Sequence, residues 1–223
     1  MENISVIIRN KNEARWIGHA IQSTLEHFDN PELVIIDNNS TDESLEIVRG
    51  FRHDPILEPS IRHYCDVVIS GIDNYTPGKA LNKGISLATN PFICIMSAHT
   101  VIKDFNSNYI SMMLQKYPCI FGKQVPIYRG KKITPRYLWS HFEDEDVVNM
   151  YSSLENRYFL HNAFALYKKE ILLEYPFDEQ IFGKEDRIWG ANLVKSGKSY
   201  LYTSKMKADH HYTQAGNTWK GVG

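Results

Sequence analysis

Apolar residues fall into two rhythms along this chain. Residues 4–8 (ISVII), 33–36 (LVII), 66–69 (DVVI) and 92–96 (FICIM) are short, nearly unbroken apolar runs, the pattern of strands buried on both faces of a sheet. Between them the spacing widens to three and four residues. Trp16, Ile17, Ala20, Ile21, Thr24, Leu25 and Phe28 form one helical stripe, and Leu45, Ile47, Val48 and Phe51 form another. Pro77-Gly78-Lys79 opens a third helix that reaches Ala88. Ser40 or Thr41 is placed to cap the second helix, with Glu43 near its positive end. Strand alternating with helix predicts a parallel sheet with right-handed crossovers, and so an α/β fold.

Beyond Thr100 the rhythm changes. A helix is expected over about 107–116, a strand over 120–125, a buried strand over 159–167 and a short helix from 168 to Pro176. Glu185-Asp186 then opens an amphipathic helix that Gly197 stops, and a small strand at 200–202 follows. Residues 126–157, where RGKKITPR gives way to HFEDEDVVN, carry no such periodicity. They are taken as a solvated charge run, with a mobile or acceptor-side excursion as the alternative. The tail, Ala208-Asp209-His210-His211-Tyr212, ends in glycine-containing sequence that is expected to be mobile.

Composition narrows the class without naming a function. With 223 residues the chain suits one domain with a substantial core, and 43% hydrophobic with 23% charged residues is ordinary for a globular protein. A formal net charge of −1 gives no electrostatic case for a nucleic-acid partner. Cys65, Cys94 and Cys119 have no metal-type spacing and are expected to be reduced core residues. MENISVIIRN lacks the parts of a signal peptide, and no apolar run approaches the roughly 18 residues of a membrane span. A cytoplasmic location is expected, with peripheral association at the inner face of a membrane left open, and the oligomeric state is not legible.

The run at 92–96 ends in Ser97, Ala98 and His99. In an open α/β sheet such residues are delivered to the ligand crevice beyond the carboxyl ends of the strands. Together with SVIIRNKNEARWIGHAIQSTL, ELVIIDNNSTDESLEIV, GKALNKGI and GKEDRIWGANLVKSG, in that order and spacing, the chain resembles a family 2 glycosyltransferase of GT-A fold. The resemblance implies a Rossmann-like three-layer α/β/α domain over 1–223 with a mostly parallel central sheet. Residues 1–100 would form the nucleotide-binding half, and 101–223 the acceptor-side half with a small C-terminal annex. It also implies an inverting transfer of sugar from a nucleotide-diphosphate donor, UDP- or dTDP-linked, to a saccharide or lipid-linked acceptor in bacterial surface-polysaccharide synthesis. Two rivals remain: a catalytically silent nucleotide-sugar binding module, and a nucleotidyltransferase. The latter would want a glycine-rich loop after the first strand, and RNKNEAR has no glycine.

By the same resemblance, Arg9, Asn10, Lys11 and Glu13 fall with Asp37 and Asn38 on the base and ribose positions. Asp37 and Asn38 can supply the hydrogen bonds a base and ribose need, against the plainer role of forming the DNNSTD turn. Arg9, Lys11, Lys79 and Lys83 are the cations available to a diphosphate, against plain solvation of the lysines. His161 and Asn162 are expected to touch donor sugar or acceptor. Asp186 falls on the position of the catalytic base, with Glu185 in support, against two acids that merely complement a helix dipole. The family's Asp-x-Asp, which holds a divalent ion, is here Ser97-Ala98-His99, and Arg9 stands where the family has proline. Three alternatives follow for His99: a Mn2+ or Mg2+ site shared with His211, metal-independent stabilisation of the leaving group by Arg9, the lysines and a protonated His99, or a hydrogen-bonded strand end.

Overall fold

The computed structural model describes residues 1–52, 65–132, 141–211 and 213. The first half runs β1 (Ile4–Asn10), α1 (Ile17–His27), β2 (Glu32–Asp37), α2 (Ser44–Arg49), β3 (Val67–Gly71), α3 (Pro77–Leu87) and β4 (Phe92–Ser97). The second half runs β5 (Thr100–Phe105), α4 (Ser107–Lys116), β6 (Cys119–Tyr128), β7 (Lys131–Lys132), β8 (Val147–Val148), β9 (Tyr151–Ser152), β10 (Arg157–Tyr158), β11 (Phe164–Lys168), α5 (Lys169–Glu174), α6 (Glu185–Lys195) and β12 (Leu201–His211). The main sheet has the order β3-β2-β1-β4-β11-β6-β12-β5.

The first four strands of that order are parallel. Beyond them β11 is antiparallel to both β4 and β6, and β12 is parallel to β6 and antiparallel to β5. Because β1 has β2 on one side and β4 on the other, the winding reverses there, and a crevice opens beyond the carboxyl ends of β1 and β4.

Successive side chains of each strand serve opposite layers. Ile7, Val34, Ile36, Ile93 and Ile95 pack with residues of α3, α5 and α6, whereas Val6, Ile8, Leu33, Ile35, Cys94 and Met96 pack with α1, α2 and α4. This is the expected α/β/α sandwich. A Cβ on Gly84 would lie 2.6 Å from Ile7 Cγ2, so glycine is what lets α3 lie flush on the sheet. Truncating a fully buried side chain such as Ile7 to alanine costs about 2–5 kcal/mol. All three cysteines are buried and unpaired.

Beyond Thr100 the structure adds to what the sequence predicts. The small strand expected at 200–202 is the start of an eleven-residue strand that takes in Ala208 to His211 of the tail, and the glycine-containing end beyond it lies outside the described residues. A strand, β5, begins immediately after His99, and β12 pairs with it. The acidic residues 143–146 are exposed, as a solvated charge run should be, and they are also anchored to the fold: Asp146 accepts from Thr203 Oγ1 at 2.6 Å and from the Tyr109 hydroxyl, Lys123 pairs with Asp144, and neighbouring Phe142 is buried. Residues 133–140 of that stretch lie outside the described residues.

Candidate active site

Asn10 and Asp37 are the last residues of adjacent parallel strands and face each other in register. Asn10 Nδ2 donates to Asp37 Oδ1 at 2.9 Å, Ser44 Oγ at 2.8 Å and Ser40 Oγ at 3.1 Å. Asp37 also accepts from the backbone N–H of Ser40 at 2.9 Å and from its hydroxyl at 2.6 Å. Asp37 therefore does form the turn, and Ser40 is spent on Asp37 and Asn10 instead of capping α2. The start of that helix is served by Asp42, whose Oδ1 accepts from Ser44 N at 3.1 Å, while its Oδ2 accepts from Ala14 N at 2.8 Å. Burial alone would raise the pKa of the Asp42 carboxyl, but the Ser44 hydroxyl and the backbone N–H groups it accepts from together outweigh that and hold it below its usual value. Asn38 is half-buried, and its N–H is held by the Asn10 carbonyl at 2.9 Å.

Ser97 faces Arg9 across β1 and β4 and donates its backbone N–H to Ala163 O at 3.2 Å. Ala98 is buried in the core layer, so only its backbone can serve a ligand. His99 heads a chain of buried polar groups that crosses the crevice. Its Nδ1 lies 3.0 Å from Glu13 Oε1 and its Nε2 lies 3.1 Å from His210 Nε2. His210 Nδ1 lies 2.9 Å from Gln124 Oε1, and Gln124 Nε2 lies 3.1 Å from His161 Nδ1. Burial, then the neighbouring His99, pushes His210 well below the usual histidine value, and burial followed by Arg187 pushes His161 down to about 3. His211 points elsewhere: its ring stacks on Trp16 with centroids 3.8 Å apart, and burial lowers it to about 4.

This chain tests whether a divalent ion suits the donor set. Glu13 and Gln124 Oε1 can only accept, so both Nδ1 atoms carry hydrogens, and two neutral rings would meet lone pair to lone pair at Nε2. A hydrogen on the Nε2 of His99, or a cation beside the pair, resolves the conflict. Two imidazole nitrogens, each backed through the other nitrogen by an acceptor, fit a borderline ion such as Mn2+ better than Mg2+. The partner of His99 is then His210, not His211. Among the described residues no group of three or more His, Cys, Asp or Glu side chains is disposed to hold a metal ion. Oxygens from a ligand would have to complete the coordination.

The other wall is the start of α6. Gly183 and Lys184 both have positive φ, +81° and +64°, a turn that glycine makes readily and that brings Glu185 and Asp186 into the first helical turn, where the helix dipole favours anions. Asp186 Oδ2 accepts from the backbone N–H of Asn162 at 3.2 Å, and its Oδ1 accepts from that of Arg187 at 2.8 Å. Arg9 Nη1 donates to Glu185 Oε1 at 3.0 Å. Burial alone would lower the pKa of this guanidinium, but Glu185 outweighs it and holds Arg9 above its usual value. Arg187 in turn pairs with Glu155 at 3.0 Å, which pins the β9–β10 hairpin to α6.

The structure thus brings Arg9, Asn10, Glu13, Asp37, Ser97, His99, His161, Asn162, Glu185 and Asp186 to one crevice. The lysines are placed differently. Lys11 Nζ donates to Asn39 O, Lys79 Nζ to Asp73 O at 2.8 Å and Lys83 Nζ to Gly71 O, so each ammonium is engaged by a loop or strand-end carbonyl. Sequence reasoning missed His210, Gln124 and Tyr167, whose hydroxyl donates to Asn162 Oδ1. The alternation of buried Met206, Ala208 and His210 would have revealed the first.

A parallel half-sheet feeding a crevice, with a mixed half-sheet and a helix-borne carboxylate pair opposite, is a GT-A fold. S. aureus TarS 1-349, determined in complex with UDP-GlcNAc, matches with a TM-score of 0.70 over 96% of this chain and 60% of that one, at 19% identity. The mannosyltransferase PcManGT from Pyrobaculum calidifontis, in complex with GDP-Man and Mn2+, matches with a TM-score of 0.66 over 98% of this chain and 59% of that one, at 16% identity. The chain belongs to glycosyl transferase family 2, whose family model matches residues 5–175. It is similar to the GalNAc(5)-diNAcBac-PP-undecaprenol beta-1,3-glucosyltransferase of Campylobacter jejuni, 23% identical over 209 residues, covering 91% of this chain and 63% of that protein. It is also similar to the O-antigen chain rhamnosyltransferase WbaN of Salmonella anatum, 20% identical over 217 residues, covering 92% and 64%. The chain therefore spans a little under two thirds of the length of these relatives.

Proposed function

We propose that this chain transfers a sugar from a nucleotide diphosphate, UDP or dTDP, to a hydroxyl of a saccharide or lipid-linked saccharide, with inversion, in the assembly of a bacterial surface polysaccharide. The observation that carries this reading is the 3.0 Å bond from Arg9 to Glu185, because it joins the strand-tip side of the crevice to the carboxylate side. Arg9 bonds Glu185 and Asn10 bonds Asp37, and the two are consecutive residues at the tip of β1, which supports reading both pairs as parts of one site.

Asp186 is the general base. It takes the proton from the acceptor hydroxyl as that oxygen attacks the anomeric carbon, and the bond to the diphosphate oxygen breaks on the opposite side. The backbone N–H groups of Asn162 and Arg187 aim its carboxylate. Glu185 holds Arg9, whose remaining N–H groups are the donors for the departing diphosphate. Nε2 of His99 and of His210 would hold a divalent ion at the same end, and such an ion supplies charge to the leaving group as a Lewis acid. The imidazole tip in place of two carboxylates also favours the binding-module reading, in which a nucleotide sugar is held and not turned over.

Among the described residues no helix is long and apolar enough to cross a membrane. The deciding experiment is a screen of nucleotide sugars for donor hydrolysis and transfer, with Asp186→Asn as control. Turnover of one sugar that Asp186→Asn abolishes supports the enzyme. Binding without turnover in the native chain gives the binding module the case.

A further inference from the structure

Tyr167 ties together two elements that meet at Asp186. It is fully buried in β11, in the layer shared with α3, α5 and α6, and its hydroxyl donates to Asn162 Oδ1 at the entry to that strand. Asn162 is only 2% exposed, and its Nδ2 has no hydrogen-bond partner. Among the described residues the Tyr167 hydroxyl is therefore the one polar group that holds the Asn162 side chain. Burial raises the pKa of that hydroxyl well above its usual value, so it keeps the hydrogen it donates.

The same residue touches the helix that carries the carboxylate. Its ring meets that of Trp189 edge-on, with centroids 5.1 Å apart and planes at 87°. Trp189 stands three residues after Asp186, the next position on the same side of α6. The indole is fixed in turn, because Nε1 donates to Tyr175 O at 2.6 Å and Phe177 packs against both rings. The 3.2 Å bond from Asn162 N to Asp186 Oδ2 thus has Tyr167 behind each end: its hydroxyl stands behind the donor and its ring behind the helix of the acceptor.

Resting on the reading of Asp186 as general base, we propose that Tyr167 is a positioning residue that aims the Asp186 carboxylate through Asn162 without touching substrate. Without the hydroxyl, both polar ends of the Asn162 amide are buried and unpaired, so the side chain turns to find partners and carries its backbone N–H away from Oδ2. Asp186 is then left to its own helix, where the Arg187 N–H at 2.8 Å and the Arg187 guanidinium at 3.8 Å both face Oδ1.

Tyr167→Phe keeps the ring on Trp189 and removes only the hydroxyl. Its kcat in transfer should fall about tenfold to a hundredfold, the effect of a small misplacement of a reacting group, while nucleotide affinity by titration stays within about twofold. Tyr202→Phe removes an equally buried hydroxyl, bonded to Glu143 O at 2.6 Å, and should change neither. In an Asp186→Asn background, Tyr167→Phe should cost less than about twofold further, because residues that act as a unit are not additive. Should Tyr167→Phe not fold, Asn162→Ala breaks the same bond from its other end and should show the same loss of kcat at unchanged nucleotide affinity. The backbone N–H resonance of Asn162 reports the geometry without turnover: Asp186→Asn and Tyr167→Phe should both move it, and Tyr202→Phe should leave it in place. The inference is overturned if Tyr167→Phe keeps native kcat where Asp186→Asn loses it, if Tyr202→Phe loses as much, or if nucleotide affinity falls in step with kcat. Multiplicative losses in the double variant, or an Asn162 resonance unmoved by Tyr167→Phe, overturn it equally. Native turnover in Asp186→Asn, or no turnover of any nucleotide sugar by the native chain, instead removes the reading of Asp186 as base, and this inference falls with it.

Discussion

Replacing Arg9 by methionine strands a carboxylate and so tests whether the two sides of the crevice are joined as described. The pair is 3.0 Å apart, with the Arg9 side chain 23% exposed and that of Glu185 8% exposed, and Glu185 has no other ion-pair partner among the described residues. Removing one member of a fully buried pair costs about 3–5 kcal/mol. Part of that is spared here, because Arg9 is partly solvated and Glu185 lies in the first turn of α6, where the dipole offsets up to about 1 kcal/mol. We expect Arg9→Met to lose about 2–3 kcal/mol in urea denaturation, a fall in Tm of roughly 4–12 °C for a chain of this size. The double variant Arg9→Met/Glu185→Gln strands no charge and should recover at least half of the loss. An Arg9→Met protein within about 0.5 kcal/mol of the native chain, or a double variant no more stable than the single one, refutes the reasoning.

Other consequences are open to direct measurement. Asp186→Asn should lower kcat about 10²–10⁴-fold in a transfer assay while nucleotide affinity by titration changes little, and undiminished turnover would remove Asp186 as base. Mn2+ should raise the Tm of the native chain and of His211→Ala by mass action, but not that of His99→Ala or His210→Ala; an equal rise in all four would dissolve the His99–His210 site. Chelator should reduce activity, and full activity in excess chelator would leave Arg9 as the cation for the leaving group. Burial holds His161 neutral down to about pH 3, below its unfolded value of 6.5, so the unfolded chain binds the extra proton and stability present above pH 6.5 is lost as pH falls. His161 alone should cost about 2 kcal/mol between pH 6.5 and 5, and urea midpoints that are flat over that range would contradict its burial as a neutral ring.

The N-terminal half was legible because its signals are local. Each strand there is covered on both faces, so apolar runs such as 92–96 stand out, and each is followed by a helix with its own stripe. Beyond Thr100 only β11 and the start of β6 keep that pattern, whereas β5 and β12 are sparse in apolar residues. In β12 the buried positions 206, 208 and 210 alternate with Lys205, Lys207 and Asp209, which reads as a polar tail unless a strand is assumed. What makes it a strand is its pairing with β5 and β6, residues 81 to 110 positions earlier. Pairing of that separation leaves no mark on a local window.

The candidate site divides along the same line. Asp37, His99, Glu185 and Asp186 announce themselves by their place at the ends of elements. Which side chain meets which is set by topology, and two cases show the limit. Taken as a loop, the tail offers no parity with which to choose between His210 and His211. Taken as a strand, the side chains alternate, and His210 shares the inward face of Ala208 and Met206 while His211 is turned out onto Trp16. Arg9 is the second case. A cation at a strand tip was expected to meet the diphosphate alone, yet the structure commits one of its N–H groups to Glu185. The guanidinium's fork has five N–H donors, so the remaining ones can face a phosphate while that bond persists. A substitution that breaks the Glu185 bond therefore disturbs donor and acceptor sides together, and the Arg9→Met variant should show its defect in nucleotide affinity as well as in turnover.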